Sequence, residues 1–133
     1  MMTREYTFTI QEVPPKEIRG NSRAHWRTVR KINRERRESA KLLAIETAQK
    51  TDDKITVTPI DSRVLISYEF YHWKPIDLDN LIFGMKSTLD GIVDSGIVLD
   101  DAPHLAKIEA EFFKEQKKDN NSRVIISIKE MID

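Results

Sequence analysis

Residues 25–50 form an uninterrupted stretch without glycine or proline, and this stretch sets the largest element of the fold. Arginine, glutamate, lysine, alanine and leucine dominate it, and all of these residues favour helices. The stretch therefore predicts one long helix, with Asn21 or Ser22 available as its N-cap. Apolar residues are sparse near Trp26 and denser near Leu43 and Ala44, so we expect the first half of the helix to be exposed on most sides.

The rest of the chain predicts four strands and a second helix. β-Branched and aromatic runs predict strands at residues 6–10, 63–71, 104–113 and 123–129. Apolar residues at three- and four-residue steps predict a helix from residue 79 to about residue 93, ended by Gly96. The polar residues 117–121 predict a hairpin turn between the last two strands. The order β-α-β-α-β-β is typical of an α+β domain, and we expect residues 1–133 to form one such domain with helices packed on a mixed sheet.

The chain carries no net charge, but its charges are unevenly distributed. Residues 1–50 carry 12 Lys and Arg against 6 Asp and Glu, whereas residues 51–133 carry 10 against 16. The basic part indicates a polyanionic partner, and the acidic part indicates bound cations. The absence of cysteine excludes disulfides and thiolate metal sites. Without a secretory leader or about 20 consecutive apolar residues, the chain is expected to be cytoplasmic, with no membrane partner.

Two acidic pairs flank the predicted second helix. Asp77 and Asp79 follow a strand and open the helix, whereas Asp100 and Asp101 lie just beyond it. Hard carboxylate oxygens are the ligands that Mg²⁺ prefers, and three or four aspartates can hold one or two such ions beside a phosphodiester. Alternatively, Asp79 is only a helix N-cap and the second pair is only part of a turn. The residues alone leave both interpretations open.

Lys86 is predicted on the same face of the second helix as Asp79. At about 100° per residue, positions 79, 83, 86 and 90 fall within one arc of roughly 60°. Lys86 is therefore a candidate for contact with a scissile phosphate, although most lysines at such positions are simply solvated. Asp90 follows Lys86 by four residues, so an ion pair between the two is expected rather than a metal-binding role for Asp90.

A basic stripe runs along the long helix. Its members recur at three- and four-residue steps and are Arg19, Arg23, Arg27, Arg30, Lys31, Arg34, Arg37 and Lys41. Such a stripe is suited to following DNA phosphates, although Glu35 and Glu38 leave open a merely solvated helix face. His25 and Trp26 lie between Arg23 and Arg27 of the stripe, and Trp26 either stacks on an unpaired base or anchors the helix in the core.

The acidic block is similar to that of a known family. The residues that carry the similarity are Asp77-Leu78-Asp79-Asn80-Leu81, Lys86, Leu89-Asp90-Gly91 and Val98-Leu99-Asp100-Asp101. They resemble the RusA family of Holliday junction resolvases, especially its phage-type members, and the resemblance extends over most of the chain. It implies a homodimeric hydrolase of DNA recombination and repair that cuts four-way junctions symmetrically with Mg²⁺ or Mn²⁺.

The resemblance also implies roles for particular residues. Asp77, Asp79 and Asp101 correspond to the family's metal-binding aspartates, with Asp100 as a weaker neighbour, and Lys86 corresponds to its functional lysine. In the founding enzyme the lysine comes four residues after the second aspartate, where this chain has Phe83. Lys86 lies one helical turn further along the same face, so its role is the least secure part of the predicted site.

Three functions therefore stay open at the level of sequence. The leading hypothesis is a magnesium-dependent junction resolvase whose DNA contacts are Arg23, Arg27, Arg30, Lys31, Arg34 and Lys86. The second is a DNA-binding module without catalysis, and the third is a metal nuclease for other branched or flapped DNA. Exposed apolar candidates for a dimer contact are Phe112, Phe113 and residues 124–126. His72 and His104 are interpreted as structural or incidental.

Overall fold

The computed structural model describes residues 3–116 and 121–131. The elements in chain order are β1 (Glu5–Ile10), a 3₁₀ turn (Lys16–Ile18), α1 (Trp26–Asp52), β2 (Val64–His72), α2 (Leu78–Gly84), α3 (Lys86–Asp94), β3 (Ala106–Lys114) and β4 (Arg123–Glu130). This order confirms a single α+β domain built on one mixed sheet. Within the described ranges, no helix combines the length and the apolar character that crossing a membrane would demand.

The four strands lie in the order β1-β4-β2-β3. β2 pairs with β3 in parallel and with β4 antiparallel, and β4 also pairs antiparallel with β1. The predicted hairpin between the last two strands is therefore wrong, because β2 lies between β3 and β4. Residues 117–120 of that predicted turn lie outside the described residues. The parallel pairing of β2 and β3 uses α2 and α3 as its crossover connection.

The second helix consists of two helices instead of one. α2 ends at Gly84 and α3 begins at Lys86, with Met85 between them at φ −87° and ψ −2°. A Cβ atom added to Gly84 would lie 2.6 Å from Cβ of Pro14, so the chain before α1 packs directly against the helix end. Met85 is buried, and its N–H donates to the carbonyl of Ile82 three residues earlier, which tightens the last turn of α2.

The second half of α1 packs on the sheet and on α3. Ala40, Ala44 and Ala48 are buried at four-residue intervals, as the density of apolar residues predicts. Small side chains at this contact allow a close approach between helices, and Gly91 of α3 lies closest to α1. A Cβ atom at Gly91 would come within 2.2 Å of the carbonyl oxygen of Arg37 and 2.9 Å of Cβ of Ala40. In the Asp90-Gly91 pair of the sequence motif, the glycine thus allows α1 and α3 to pack closely.

The first half of α1 is exposed, as predicted, and none of residues 26–39 is buried. The predicted N-cap is wrong. The N-cap is His25, whose Nδ1 accepts a hydrogen bond from the N–H of Arg27 at 3.1 Å. Ser22 instead accepts from the N–H of Ala24, because the chain stays extended until His25.

The strand proposed for dimer contact is largely part of the core. Val124 and Ile126 of β4 are fully buried against the helices, so they are not exposed apolar candidates. Alternation places Ile125 on the opposite face of the sheet, where it is half-buried, as is Phe113 of β3. Phe113 stacks there on Tyr71 of β2, with ring centroids 4.9 Å apart.

Candidate functional site

Lys86 lies at the centre of a compact charged cluster. Its Nζ donates to Oδ2 of Asp101 at 2.5 Å and lies 3.1 Å from Oδ1 of Asp90. Lys86 is the first residue of α3, and Asp90 follows one turn later on the same face. The expected ion pair between Lys86 and Asp90 is therefore present. Asp101 joins the pair from the segment that connects α3 to β3.

The path of the chain after α3 explains how Asp101 reaches Lys86. Gly96 adopts φ +87°, which turns the chain back after the helix. Ile97 and Val98 are buried, and Val98 forms a parallel bridge with Ile60, whose N–H donates to the carbonyl of Ile97 at 2.8 Å. This short extended segment returns the chain towards the start of α3.

The charges in this cluster alter one another's titration. The hydrogen bond with Asp101, followed by that with Asp90, raises the pKa of Lys86. The hydrogen bond from Lys86 is in turn the main cause that lowers the pKa of Asp101. Burial raises the pKa of the Tyr68 hydroxyl, and the charges of Asp101 and Asp90 raise it further. Near neutral pH Lys86 is therefore an ammonium, Asp101 a carboxylate and Tyr68 a protonated phenol.

Asp77 and Asp79 occupy the start of α2, and both are exposed. Asp77 is the N-cap residue, so the interpretation of Asp79 as the cap is wrong. The side chain of Asp77 makes no capping hydrogen bond, and the carboxylate stays available for other contacts. In the described ranges, no side-chain hydrogen bond or ion pair joins either aspartate to the Lys86 cluster.

No three His, Cys, Asp or Glu side chains within residues 3–116 and 121–131 are grouped so that they could hold a metal ion. The structure thus brings Asp101 to Lys86 and Asp90, but it does not gather the three predicted metal ligands into one preformed group. Asp100 has a local contact of its own. Its Oδ1 accepts the N–H of Asp101 at 2.8 Å, so Asp100 contributes to the turn before β3.

A cleft of about 600 Å³ opens between the 3₁₀ turn, α1 and α3. Its charged lining residues are Glu17, Arg19, Arg34, Arg37, Lys86 and Asp90. Arg37 is held at the far wall by two hydrogen bonds to Asp94, at 2.6 and 2.9 Å, which raise the pKa of Arg37 and lower that of Asp94. The cleft is therefore the place where the basic helix meets Lys86 and Asp90.

The predicted DNA contacts on α1 and before it are exposed. Arg23, Arg27, Arg30, Lys31 and Arg34 are all solvent-accessible, and none forms an ion pair with another described residue. Neither Glu35 nor Glu38 forms an ion pair with the stripe in the described residues. These positive charges therefore stay uncompensated, as a phosphate-binding surface requires.

A second, smaller groove of about 380 Å³ continues along α1 and includes Trp26. The Trp26 side chain is 55% exposed, so the alternative in which Trp26 anchors the helix in the core is wrong. The guanidinium carbons of Arg27 and Arg30 lie 5.3 and 5.6 Å from the centre of the indole ring, within cation–π range. The His25 ring stacks beside it at 5.7 Å.

Two further residues of the cleft, Asn33 and Ser87, escaped the sequence analysis. Asn33 lies on the same face of α1 as Arg30 and Arg37, and this helical spacing is the signal that could have found it. The Ser87 hydroxyl is buried in the cleft wall without a hydrogen-bond partner among the described residues, and only its position next to Lys86 marks it. Phe83, at the position where the founding enzyme of the resembled family has its lysine, is 65% exposed at the cleft edge.

His72 is structural, as interpreted from the sequence. It is buried at the end of β2, and its Nδ1 lies 3.0 Å from Oγ of Ser122.

In comparisons with known proteins, no family model matches the chain, and no curated protein is similar enough to be a match.

Proposed function

We propose that this chain is a metal-dependent endonuclease that cuts branched DNA and prefers the four-way junction as its substrate. The observation that carries the proposal is the cleft in which Arg34 and Arg37 of α1 face Lys86 and Asp90 of α3. A DNA backbone needs cationic side chains to hold it, and hydrolysis of a phosphodiester needs acidic groups close to the phosphate. The cleft offers the cationic groups together with the carboxylate of Asp90, and Lys86 in its wall contacts the carboxylate of Asp101.

Mg²⁺ or Mn²⁺ fits the chemistry of the acidic side chains. Asp77, Asp79 and Asp101 would hold the ion, with Asp100 beside them. Mg²⁺ usually takes only one or two carboxylates from a protein, while water and substrate phosphate supply the remaining oxygens. The exposed carboxylate of Asp77, which makes no capping bond, suits such a role. When bound, the ion supplies a water-derived nucleophile and positive charge near the leaving oxygen.

Lys86 provides the fixed positive charge of the proposed site. Asp101 and Asp90 raise its pKa, so the ammonium stays protonated throughout the neutral pH range. The same two carboxylates orient the ammonium by direct contact. A scissile phosphate bound in the cleft would accept a hydrogen bond from Lys86, and the charge would stabilise the transition state. Arg34 would hold the adjoining phosphate and fix the position of the strand.

A four-way junction has two-fold symmetry, so its resolution requires two matched cuts. We propose that two copies of the chain form a symmetric dimer, which brings two such sites to the junction at once. The sheet face that carries Ile125, Phe113 and Tyr71, opposite the core side, is the surface proposed for this contact.

The deciding experiment compares three DNA substrates of matched sequence: a four-way junction, a flap and a linear duplex. The purified protein should nick the junction with Mg²⁺ or Mn²⁺ and leave the linear duplex intact. Asp79→Asn should abolish cutting and retain junction binding, because the amide keeps the shape and removes the charge. Asp53→Asn is the matched control, since Asp53 is an exposed loop residue in the left-handed conformation that asparagine tolerates. Equal cutting by Asp79→Asn and wild type would contradict the assigned site.

A DNA-binding module without catalysis is the second candidate, and one observation favours it. Lys86 forms ion pairs with both Asp90 and Asp101, so a side chain of the protein itself balances these two carboxylates. This candidate predicts binding that weakens steeply with salt and no cleavage in any divalent metal. Preferential cutting of the flap substrate would instead support a nuclease for other branched DNA.

A further inference from the structure

We infer that Trp26 forms a stacking site for an unpaired DNA base close to the cut, so that the substrate must carry unpaired nucleotides there. This inference rests on the proposed function and specifies its substrate more closely. It begins from the exposure of the Trp26 ring at the start of α1, where 55% of the side chain is accessible. A single exposed apolar residue is ordinary on a protein surface, so its surroundings must carry the case.

The residues that line the groove beside Trp26 are polar or positively charged. The groove is lined by Trp26, Arg27, Arg30, Lys31, Asn33 and Arg34, four of which are cations and none of which is acidic. Two of these guanidinium groups lie within 5.6 Å of the indole ring centre. An aromatic face among cations matches single-stranded nucleic acid, in which bases stack on the ring and phosphates contact the charges.

The groove adjoins the proposed cutting site. Asn33 and Arg34 line both the groove of Trp26 and the cleft that contains Lys86. Trp26 and Arg34 are eight residues apart on α1, which corresponds to about 12 Å along the helix. At roughly 3.4 Å of rise per nucleotide, this distance corresponds to three or four nucleotides of one strand. One DNA strand can therefore contact Lys86, Arg34 and Trp26 in succession.

Stacking on Trp26 requires an unpaired base, because the faces of paired bases are not accessible. In a duplex, neighbouring bases cover each base's faces and only the edges are accessible in the grooves. A tryptophan ring can stack only on a base that has left the helix, as at an open branch point or a single-stranded arm. The site therefore selects branched DNA with unpaired nucleotides three or four positions from the phosphate that Arg34 holds beside the cut.

The test measures binding without cleavage, in EDTA, with Trp73→Phe as the parent so that Trp26 is the only tryptophan. The probes are a short oligothymidylate and an abasic strand with the same number of phosphates. Oligothymidylate should quench Trp26 fluorescence and protect it from acrylamide, and the abasic strand should do neither. Removing one stacking ring weakens binding by about five-fold to 150-fold, so Trp26→Ala in the wild-type chain should lose that much affinity for oligothymidylate and almost none for the abasic strand.

Trp26→Phe provides the second variant, because a phenyl ring retains stacking and should recover most of the affinity. Equal affinity of Trp26→Ala and wild type for oligothymidylate overturns the inference, as does equal quenching by both probes. Salt-sensitive binding without base-dependent quenching likewise overturns the stacking site while leaving the proposed nuclease intact. Base-dependent quenching supports the stacking site even where no metal ion gives cleavage, so the two proposals fail separately.

Discussion

Substitution of Gly91 by alanine should destabilise the protein by forcing α1 and α3 apart. The added Cβ would lie 2.2 Å from the carbonyl oxygen of Arg37 and 2.9 Å from Cβ of Ala40, whereas ordinary contact begins near 3.4 Å. The carbonyl belongs to the helix backbone and cannot move alone, so the helices must separate locally by about 1 Å.

The magnitude follows from two opposing effects. Overpacking of a core contact costs about 1–3 kcal/mol, and a rigid backbone contact belongs at the upper end of that range. The higher helix propensity of alanine compared with glycine stabilises the folded protein by about 1 kcal/mol. The net loss in the free energy of unfolding should therefore be about 2 kcal/mol, which lowers the Tm of a domain of this size by roughly 6–10 °C.

Urea unfolding followed by circular dichroism at the helical band measures this loss. Ser39→Ala, at an exposed position of α1, is the matched control and should change stability by only a few tenths of a kcal/mol. Ala40→Gly combined with Gly91→Ala should cost less than the sum of the single changes, because it removes one of the two close contacts. A Gly91→Ala variant as stable as wild type would refute the close approach of the helices.

Three further results are expected. Lys86→Met should abolish junction cutting and change the urea midpoint little, because the Lys86 side chain is 64% exposed and exposed ion pairs contribute at most about 1 kcal/mol. Arg34→Ala should reduce the salt dependence of DNA binding by about one phosphate contact, measured by fluorescence anisotropy, whereas Lys50→Ala at the far end of α1 should not. Burial lowers the pKa of His72, so the stability that neutral His72 contributes is present above its unfolded pKa of 6.5 and is lost as the pH falls below it. Unfolding at a series of pH values should show that His72→Gln reduces this loss.

The sequence predicts the elements of this fold well because their signals are local. Four strands and the long helix follow from periodicity and from the absence of breakers, within a residue or two of the observed ends. The break at Met85 is different, because it depends on contact between Gly84 and Pro14, which are far apart in the sequence. Periodicity continues unbroken across Met85, so a contact of this kind has no local signal.

Local sequence patterns do not predict the order of the strands in the sheet either. A strand's sequence shows which face is buried but not which strand lies beside it. The polar residues after β3 are compatible with a hairpin, yet β4 pairs with β2 and β1 instead. Only the parallel pairing of β2 and β3 across α2 and α3 follows from the usual behaviour of a strand–helix–strand unit, once the strands are known to share a sheet.

Local sequence signals likewise predict only part of the candidate site. The pair of Lys86 with Asp90 follows from their four-residue spacing on a helix. The contact of Lys86 with Asp101 does not, because it depends on the bridge between Ile60 and Val98 that returns the chain to the start of α3. The exposure of Trp26 could not be decided either, since an aromatic residue at a helix start is as compatible with burial as with solvent.

The contact at Gly91 connects stability with the proposed activity. It fixes the distance between α1, which carries Arg34 and Arg37, and α3, which carries Lys86. A wider separation would enlarge the cleft and move the side chains proposed to bind phosphate away from Lys86 and Asp90. Cutting demands that reacting groups keep their positions within a fraction of an ångström, so a shift of about 1 Å should cost about a hundred-fold in rate. Gly91→Ala should therefore lose more nuclease activity than its unfolded fraction explains, at temperatures where the variant is still folded. Loss of activity in strict proportion to unfolding would show that the cleft does not depend on this helix contact.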